Sequence, residues 1–217
     1  MSLGYPRALL FDWDNTLVDS WRSIHDALNL TLESMGHAPW SLEETKARVR
    51  ASARDSFPVL FGERAGEAME IFYRSFEAHH LRRLQECPGA GAMLRTLAAD
   101  GLYLAVVSNK LGRLLRREAE HLGWSGLFSR LVGATDAERD KPAAESVALA
   151  LRDSGITPGE QVWFVGDTDI DLLCAVNAGC MPILMRPEPP GPDEFPGTPP
   201  RRHVATFAEL IELLRTL

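Results

Sequence analysis

The sequence predicts an α/β fold, a doubly wound parallel sheet with an inserted helical domain. Short apolar runs alternate with segments of helical periodicity along most of the chain, and one long stretch after the first run is helical throughout. Such alternation is typical of a parallel sheet that helices cover on both faces. The predicted strands lie at residues 7–12, 102–108, 130–133, 162–166 and 181–185.

The stretch between the first two strands is predicted to form a separate helical unit. Its first helix begins after Asp19 or Ser20, where apolar residues start to recur at helical spacing. Ser41 and Glu44 form a capping-box pattern for a second helix, and a long third helix follows. The predicted division is a core of residues 1–17 and 88–217 and an insertion of residues 18–87.

The first strand runs into the segment "DWDNT", residues 12–16. Asp12 and Asp14 stand two apart in an extended segment and so project the same way, at a strand end where free backbone amides can bind an anion. One acid can attack a phosphorus atom while the other handles the proton of the leaving group. On these residues alone, a polar turn whose Asp and Thr cap a helix is an equally good interpretation.

Two later segments offer groups that suit a phosphoryl ligand. Ser108 and Asn109 end the second strand with a hydroxyl and an amide, which suit positioning better than proton transfer. Pro142 fits the first turn of a helix and so puts Lys141 at a helix N-terminus, an end that attracts phosphate. Taken singly, Ser108 is more simply a helix cap and Lys141 a solvated side chain.

The strand predicted at residues 162–166 runs into an acidic segment, "GDTDID". Its carboxylates at Asp167, Asp169 and Asp171 suit Mg²⁺, which binds one or two protein carboxylates together with waters and substrate phosphate. Asp169 is assigned the ordinary role of a helix cap, because Asp167 lies nearest the strand end and Asp171 one helical turn beyond it. The segment therefore predicts a metal site.

Together "DWDNT", "SN", "DKP" and "GDTDID" make the chain resemble the haloacid dehalogenase superfamily, and its phosphoglycolate phosphatase-like members most of all. The resemblance covers nearly the whole chain and implies a Rossmann-like core with a helical cap that closes over the substrate. It implies that Asp12 is the nucleophile and Asp14 the general acid/base. Ser108 would then contact the phosphoryl group and Lys141 would offset its charge.

The same resemblance implies a Mg²⁺ ion. Its ligands would be Asp12, the backbone carbonyl of Asp14 and Asp167, with Asp171 as a further acidic ligand or as support behind the others. Thr16 and Asn109 are expected to contact the substrate. Two departures from the family pattern are Asn15, where Gly is usual, and Ala144, where a second Pro is common.

Retention of Asp14 separates this chain from the dehalogenases that name the superfamily, since these lack an acid at that position and use no metal. In the cap, Arg50 and Arg54 are predicted to lie in a loop between two helices that faces the active site. There they would bind a substrate carboxylate or phosphate. The alternative is that both arginines are solvated surface groups.

Composition narrows the possible partners. The formal net charge of −7 argues against nucleic acid and anionic membranes, and no apolar run approaches the ~18 residues of a membrane span. Cys87, Cys174 and Cys180 form no C-x-x-C pair, which favours a reducing cytoplasm. The scattered histidines are assigned to neither a metal nor a base. Oligomeric state cannot be read from the chain.

The predicted function is Mg²⁺-dependent hydrolysis of a small phosphorylated metabolite, a phosphoglycolate-like phosphomonoester, through an aspartyl-phosphate. A sugar phosphomutase of the β-phosphoglucomutase type is one alternative, because it would form the same intermediate but return the phosphoryl group to a bound sugar. A phosphate-accepting signalling or binding protein without turnover is the alternative from another class. The long insertion and the acid at Asp14 argue against it.

Overall fold

A six-stranded parallel sheet forms the centre of the computed structural model, which describes residues 4–217. In chain order its strands and those of a small second sheet are β1 (Ala8–Phe11), β2 (Val18–Asp19), β3 (Gln85–Glu86), β4 (Tyr103–Leu111), β5 (Arg130–Ala134), β6 (Val162–Gly166), β7 (Met181–Met185) and β8 (Arg202–Val204). The helices are α1 (Trp21–Ser34), α2 (Leu42–Arg48), α3 (Ala53–Phe61), α4 (Ala65–Arg83), α5 (Ala90–Ala99), α6 (Gly112–His121), α7 (Glu145–Ala150), α8 (Asp169–Asn177) and α9 (Phe207–Arg215).

Strand β1 lies near the middle of the sheet, whose order is β5-β4-β1-β6-β7-β8. Its residues are fully buried because helices cover both faces, as expected for a central parallel strand. Leu9 and Phe11 pack on one side with residues of α5, α6 and α9, whereas Ala8 and Leu10 pack on the other with residues of α7 and α8. The prediction of a doubly wound parallel sheet is therefore confirmed.

All five predicted strands are present, but the sequence analysis missed β8 and the short strands β2 and β3. Strand β8 has three residues, of which Val204 alone is buried. So short a segment carries no readable alternation of apolar and polar residues. Within residues 4–217, no helix has the length and the apolar character needed to cross a membrane.

Helices α1 to α4 form the predicted insertion, with an apolar centre that includes Leu28, Leu32, Phe57 and Phe61. The chain passes between this cap and the core twice, and the two passages pair as antiparallel strands β2 and β3. Beside this pair the backbone N–H of Cys87 donates to the carbonyl oxygen of Leu17 at 2.9 Å. The exact domain limits, residues 18–87 for the cap, remain a proposal.

Helix α3 was not predicted, and Arg54 lies in it and not in the expected loop. Pro58, in the middle of α3, lacks a backbone N–H and usually ends or kinks a helix. Here Phe57 and Phe61, one turn apart, are buried against the other cap helices. Their burial outweighs the one hydrogen bond that the proline removes.

Candidate active site

The four sequence segments meet at one edge of the parallel sheet: three follow the strands β1, β5 and β6, and the fourth, Ser108 and Asn109, lies in the second half of β4. This edge of a parallel sheet is where ligands bind in doubly wound folds. A cleft of about 520 Å³ opens there between the core and the cap. Its lining includes eight of the predicted site residues: Asp12, Asp14, Arg50, Ser108, Asn109, Lys141, Asp167 and Asp171.

Carboxylate oxygens of Asp12, Asp167 and Asp171 lie within 4.8 Å of one another. Burial raises the pKa of Asp12 to about 7 despite the nearby Lys141 ammonium, and the Asp171 carboxylate adds to the rise. Burial also holds the pKa of Asp167 well above its ordinary range, with contributions from Asp171 and Asp12. Crowded, partly desolvated carboxylates of this kind suit a hard cation such as Mg²⁺, whose preferred ligands are oxygen atoms.

Lys141 bridges two of these acids. Its Nζ donates to Oδ1 of Asp12 at 2.6 Å and to Oδ1 of Asp171 at 2.7 Å. Burial lowers the pKa of the Lys141 ammonium, but the two carboxylates outweigh burial and raise it overall. Lys141 is therefore a fixed cation against the predicted nucleophile.

The predicted helix N-terminus at Lys141 was wrong. Helix α7 begins at Glu145, and Lys141 lies in the turn before it, where the N–H of Ala143 donates to the carbonyl of Asp140 at 2.9 Å. Pro142 therefore belongs to this turn and not to the helix. The ammonium is held by the two carboxylates, and no helix dipole is needed to explain its place.

Asp171 uses both carboxylate oxygens. While Oδ1 accepts from Lys141, Oδ2 accepts from the backbone N–H of Thr168 at 3.0 Å and from its hydroxyl at 2.8 Å. The assignment of Asp169 as the helix cap was also wrong, because Thr168 is the N-cap of α8. Thr and Asp both favour that position, so sequence alone does not choose between them.

Asp14 lies apart from the acid cluster and pairs with a second lysine. Its Oδ1 is 2.7 Å from Nζ of Lys110. The following residue, Asn15, has φ of 63°, the left-handed region, where Asn is tolerated better than most residues. Its side-chain oxygen accepts the backbone N–H of Ser20 at 3.2 Å. The departure from Gly at this position is therefore structurally accommodated.

Ser108 and Asn109 lie inside β4, where the pairing register with β5 shifts between Val107 and Leu111. Oγ of Ser108 accepts the backbone N–H of Lys110 at 3.1 Å, and the amide of Asn109 donates to the carbonyl of Lys141 at 3.2 Å. Ser108 is thus not the cap of α6. Both residues line the cleft.

Thr16 does not belong to the lining of this cleft. It is buried, and its hydroxyl donates to Oδ1 of Asp167 at 3.1 Å. The structure therefore brings Thr16 to the metal-site candidate and not to the open space. Its predicted substrate contact stays a prediction.

The two predicted cap arginines both reach the core, but in different ways. Arg50 lines the cleft and pairs with the exposed Asp169 at 3.1 Å. Arg54 pairs with Asp140 at 2.8 Å, and the Asp140 side chain is only 1% exposed. Arg54 is not part of the lining. Arg50 is therefore the better placed of the two for a substrate anion.

A buried polar network that the sequence analysis missed lies behind Asp14. Lys110 donates to both carboxylate oxygens of Glu118, at 3.0 and 2.8 Å. Nδ1 of His80 lies 2.7 Å from Oε1 of Glu118, and Nε1 of Trp13 donates to its Oε2 at 2.7 Å. Burial lowers the pKa of Lys110, but the Asp14 and Glu118 carboxylates outweigh it and raise the pKa overall.

Two local signals pointed to this network. Glu118 occupies an otherwise apolar face of α6, next to the buried Leu114, Leu115 and Ala119. His80 follows Phe76 by one turn on the apolar side of α4. A charged or polar residue at a core position of a helix requires a buried partner. The sequence does not say which partner it is.

Apolar side chains from the cap and the core form most of the remaining wall of the cleft. They include Trp21, Ile24, Trp40, Val49, Tyr73, Phe76 and Leu111. The acids and lysines lie at the sheet edge, and the cap adds the charged Arg48, Arg50 and Asp55 to the lining. A ligand would therefore meet charge at the sheet edge, apolar surface over much of the wall and further charged side chains on the cap side.

Comparison with known proteins agrees with this arrangement. The model of the family described as haloacid dehalogenase-like hydrolase matches residues 9–185. A phosphoglycolate phosphatase of Aquifex aeolicus is 32% identical over 179 residues, which are 82% of this chain and 84% of the relative. One of Chromobacterium violaceum is 33% identical over 194 residues, 85% and 87% of the two chains.

A solved structure described as a predicted phosphoglycolate phosphatase, from Haemophilus somnus, is similar over 98% of this chain and 99% of its own. The TM-score is 0.80 at 21% sequence identity. At that identity the likeness concerns the fold alone.

Proposed function

Because this chain belongs to the haloacid dehalogenase-like hydrolases, we propose that it is a Mg²⁺-dependent phosphatase that hydrolyses a small phosphomonoester through an aspartyl-phosphate on Asp12. One observation carries the proposal. Asp12 is at once a member of the acid cluster with Asp167 and Asp171 and a hydrogen-bond partner of Lys141. A nucleophile for phosphorus needs both a cation site and a fixed positive charge beside it.

Electrostatics explains the need. Two unit charges 4 Å apart repel by about 4 kcal/mol at an effective dielectric of 20, so a carboxylate cannot approach a phosphate without compensation. Lys141 offsets one charge, 2.6 Å from Asp12. The proposed ligands of Mg²⁺ are the carboxylates of Asp12, Asp167 and Asp171 and the backbone carbonyl of Asp14. When bound, Mg²⁺ would supply positive charge against the phosphoryl oxygens.

In the first step a carboxylate oxygen of Asp12 forms a bond to phosphorus and the bond from phosphorus to the leaving oxygen breaks. Asp14, in its protonated form, gives its proton to that leaving oxygen. In the second step water attacks the phosphorus, Asp14 takes a proton from the water, and the bond to Asp12 breaks. Ser108 and Asn109 position the phosphoryl group, and water exclusion by the cap strengthens each of these contacts.

The substrate proposal is a phosphoglycolate-like compound, supported by the names of the relatives and by Arg50 on the cleft wall. Arg54 would have to release Asp140 before it could bind a second substrate anion. We keep the reducing cytoplasm as the proposed compartment, since Cys87, Cys174 and Cys180 are all free thiols. The proposed partner is a small phosphorylated metabolite, and oligomeric state is left open.

The test separates Asp12 from Asp14. Each is replaced by Asn, the protein is mixed briefly with an aryl phosphate and Mg²⁺, and the reaction is quenched with acid. Mass spectrometry then measures the mass of the chain and locates any phosphoryl adduct. Asp12→Asn should lack both turnover and adduct. Asp14→Asn should retain a phosphoryl adduct on Asp12, because an aryl leaving group needs no proton and the second step loses its base. An adduct elsewhere, or undiminished turnover in the Asp12 variant, overturns the proposal.

Two further measurements address the alternatives. Interconversion of hexose phosphates faster than release of inorganic phosphate would make the protein a phosphomutase. Rapid phosphoryl acceptance without turnover in the unsubstituted protein would make it a signalling receiver. Neither outcome is expected, because the cap helices α1 to α4 and the acid at Asp14 suit repeated hydrolysis.

A further inference from the structure

We propose that Lys110, Glu118 and His80 form a positioning network that sets the orientation of the Asp14 carboxylate according to the position of the cap. The inference rests on the proposed function, since it assigns a role behind the proposed general acid/base. The network is separate from the acid cluster and from Lys141. Its members come from β4, α6 and the cap helix α4.

Hydrogen bonds from His80 and Lys110 to Glu118, followed by the ion pair of Lys110 with Asp14, form a continuous path from the cap to the catalytic loop. Nδ1 of His80 contacts Glu118 at 2.7 Å, Glu118 accepts from Lys110 at 2.8 and 3.0 Å, and Lys110 contacts Asp14 at 2.7 Å. Because Glu118 can only accept when ionised, His80 donates through Nδ1. Every contact lies within ordinary hydrogen-bond distance.

Burial makes these contacts directional. The side chains of Glu118 and His80 are each 1% exposed and that of Lys110 is 4% exposed. An ion pair this deep loses much of its attraction to the cost of desolvation, and apolar replacement is often neutral or stabilising. Stability alone is therefore a poor reason for a lysine and a glutamate here. Fixed geometry at the Asp14 end is a reason that the distances support.

Glu118 also holds the catalytic loop by a second route. Nε1 of Trp13, the residue between the two catalytic acids, donates to Oε2 of Glu118. The Trp13 ring is fully buried and packs edge-on against Trp124, with the ring centres 5.7 Å apart. Glu118 thus contacts the loop directly through Trp13 and indirectly through Lys110.

The cap enters through two residues of α4. His80 makes the hydrogen bond to Glu118, and Nζ of Lys110 lies 4.8 Å from the centre of the Phe76 ring, within cation–π range. The rings of Phe76 and His80 stack on each other at 5.2 Å. Movement of α4 must therefore change the surroundings of both Lys110 and Glu118. Asp14 would receive its working orientation when α4 lies as it does here.

Kinetics can isolate this role. In a two-step mechanism, kcat/KM for an activated aryl phosphate reports the first step, whereas decay of the phosphoenzyme reports the second. Lys110→Met should slow that decay by about 10- to 100-fold, part of the 10²–10⁴ that a positioned general acid/base contributes. The variant's kcat/KM for the aryl phosphate should stay within about twofold of that of the unsubstituted protein, so kcat and KM should fall together. For an alkyl phosphate, kcat/KM should fall as well.

Matched variants distinguish positioning from simple loss of structure. Glu118→Gln and His80→Gln should show the same pattern, in decreasing size along the path, and Lys110→Arg should recover part of the decay rate. Glu120→Gln and His79→Gln are the controls, because these residues are exposed neighbours on the same helices. Thermal melts identify any variant that fails to fold, and Lys110→Arg and Glu118→Gln then carry the test.

A double variant tests the connection to the cap. If the path is continuous, His80→Gln should have little further effect on phosphoenzyme decay once Lys110 is Met, since coupled residues are not additive. Equal loss of both steps in all variants, or full additivity, would overturn the inference. The proposed function fails differently: no phosphoenzyme would then be found even in Asp14→Asn.

Discussion

In the part of the chain that the structure describes, two buried lysines lie at the sheet edge of the cleft, and each bridges two carboxylates. Lys141 joins Asp12 to Asp171, and Lys110 joins Asp14 to Glu118. Each ammonium also lies over an aromatic ring, 5.7 Å from the centre of Phe164 for Lys141 and 4.8 Å from that of Phe76 for Lys110.

The two centres differ in where their partners come from. The partners of Lys141, including the Phe164 ring on β6, all belong to the core. The surroundings of Lys110 include Phe76 and, through Glu118, His80, both on the cap helix α4. The arrangement for nucleophilic attack is therefore built by the core alone, while the arrangement of the acid/base depends on the cap.

The largest expected effect comes from Lys141→Met. It removes the positive charge beside Asp12, so kcat/KM for an aryl phosphate should fall by about 10²- to 10³-fold, the usual cost of losing one preorganised electrostatic contact. Lys110→Met should leave that same ratio nearly unchanged. Steady-state kinetics on the two variants makes the comparison, and equal losses in kcat/KM would remove the distinction between the two lysines.

The metal site is the second point at which the two centres should differ. Asp167→Asn removes one of three crowded carboxylates, so in excess chelator it should raise stability by about 1 kcal/mol, or about 2–4 °C in Tm for a chain of this size. The same variant should lose most of the Tm increase that Mg²⁺ gives the unsubstituted protein. If Mg²⁺ raised the Tm of the variant as much as that of the unsubstituted protein, Asp167 would not be a ligand.

Asp12 predicts a pH dependence of the metal-free protein. Its pKa of about 7 in the folded chain exceeds the ordinary value of 3.8. The folded state therefore binds more protons than the unfolded state between these values, and stability must fall as pH rises through them. The slope from this group is at most about 1.4 kcal/mol per pH unit. Denaturant titrations in chelator should show a shallower fall for Asp12→Asn.

The cap arginines give the smallest expected change in activity. Arg50→Ala should raise KM for phosphoglycolate by about 3- to 10-fold, up to about 1.4 kcal/mol, and alter KM for an aryl phosphate less, since only phosphoglycolate carries a second anion. Arg54→Ala should instead lower Tm, because it leaves the buried Asp140 carboxylate without its cation. Identical effects of Arg50→Ala on KM for both substrates would show that Arg50 is an ordinary solvated surface group and does not bind the second anion.

The fold class and the meeting of the four segments could be predicted because both depend on local features of the chain. Strand and helix periodicities are visible within short windows, and the carboxyl ends of neighbouring parallel strands must share one edge. Asp12, Ser108 and Asp167 each come at or directly after such a strand. Their proximity therefore follows from the sequence alone.

Details of local geometry were less predictable where two residue types compete. Thr168 and Asp169 both suit a helix cap, and Thr168 takes the position, where Asp171 three residues on accepts from its backbone N–H. Pro142 suits either a turn or a helix start, and it lies in a turn. Pro58 argued against the helix α3 that burial of Phe57 and Phe61 stabilises. For α3, tertiary contacts outweighed a small local preference.

Which acid pairs with which lysine was decided only by the tertiary structure. His80 and Glu118 are 38 residues apart and Trp13 and Glu118 are 105 apart, so no spacing in the chain marks them as partners. The helical spacing of α4 and α6 carries a signal, which the sequence analysis missed, that Glu118 and His80 lie on apolar helix faces and need polar partners. Only the docking of α4 and α6 beside the catalytic loop could supply those partners, because hydrogen bonds act over about 3 Å in space whatever the separation along the chain.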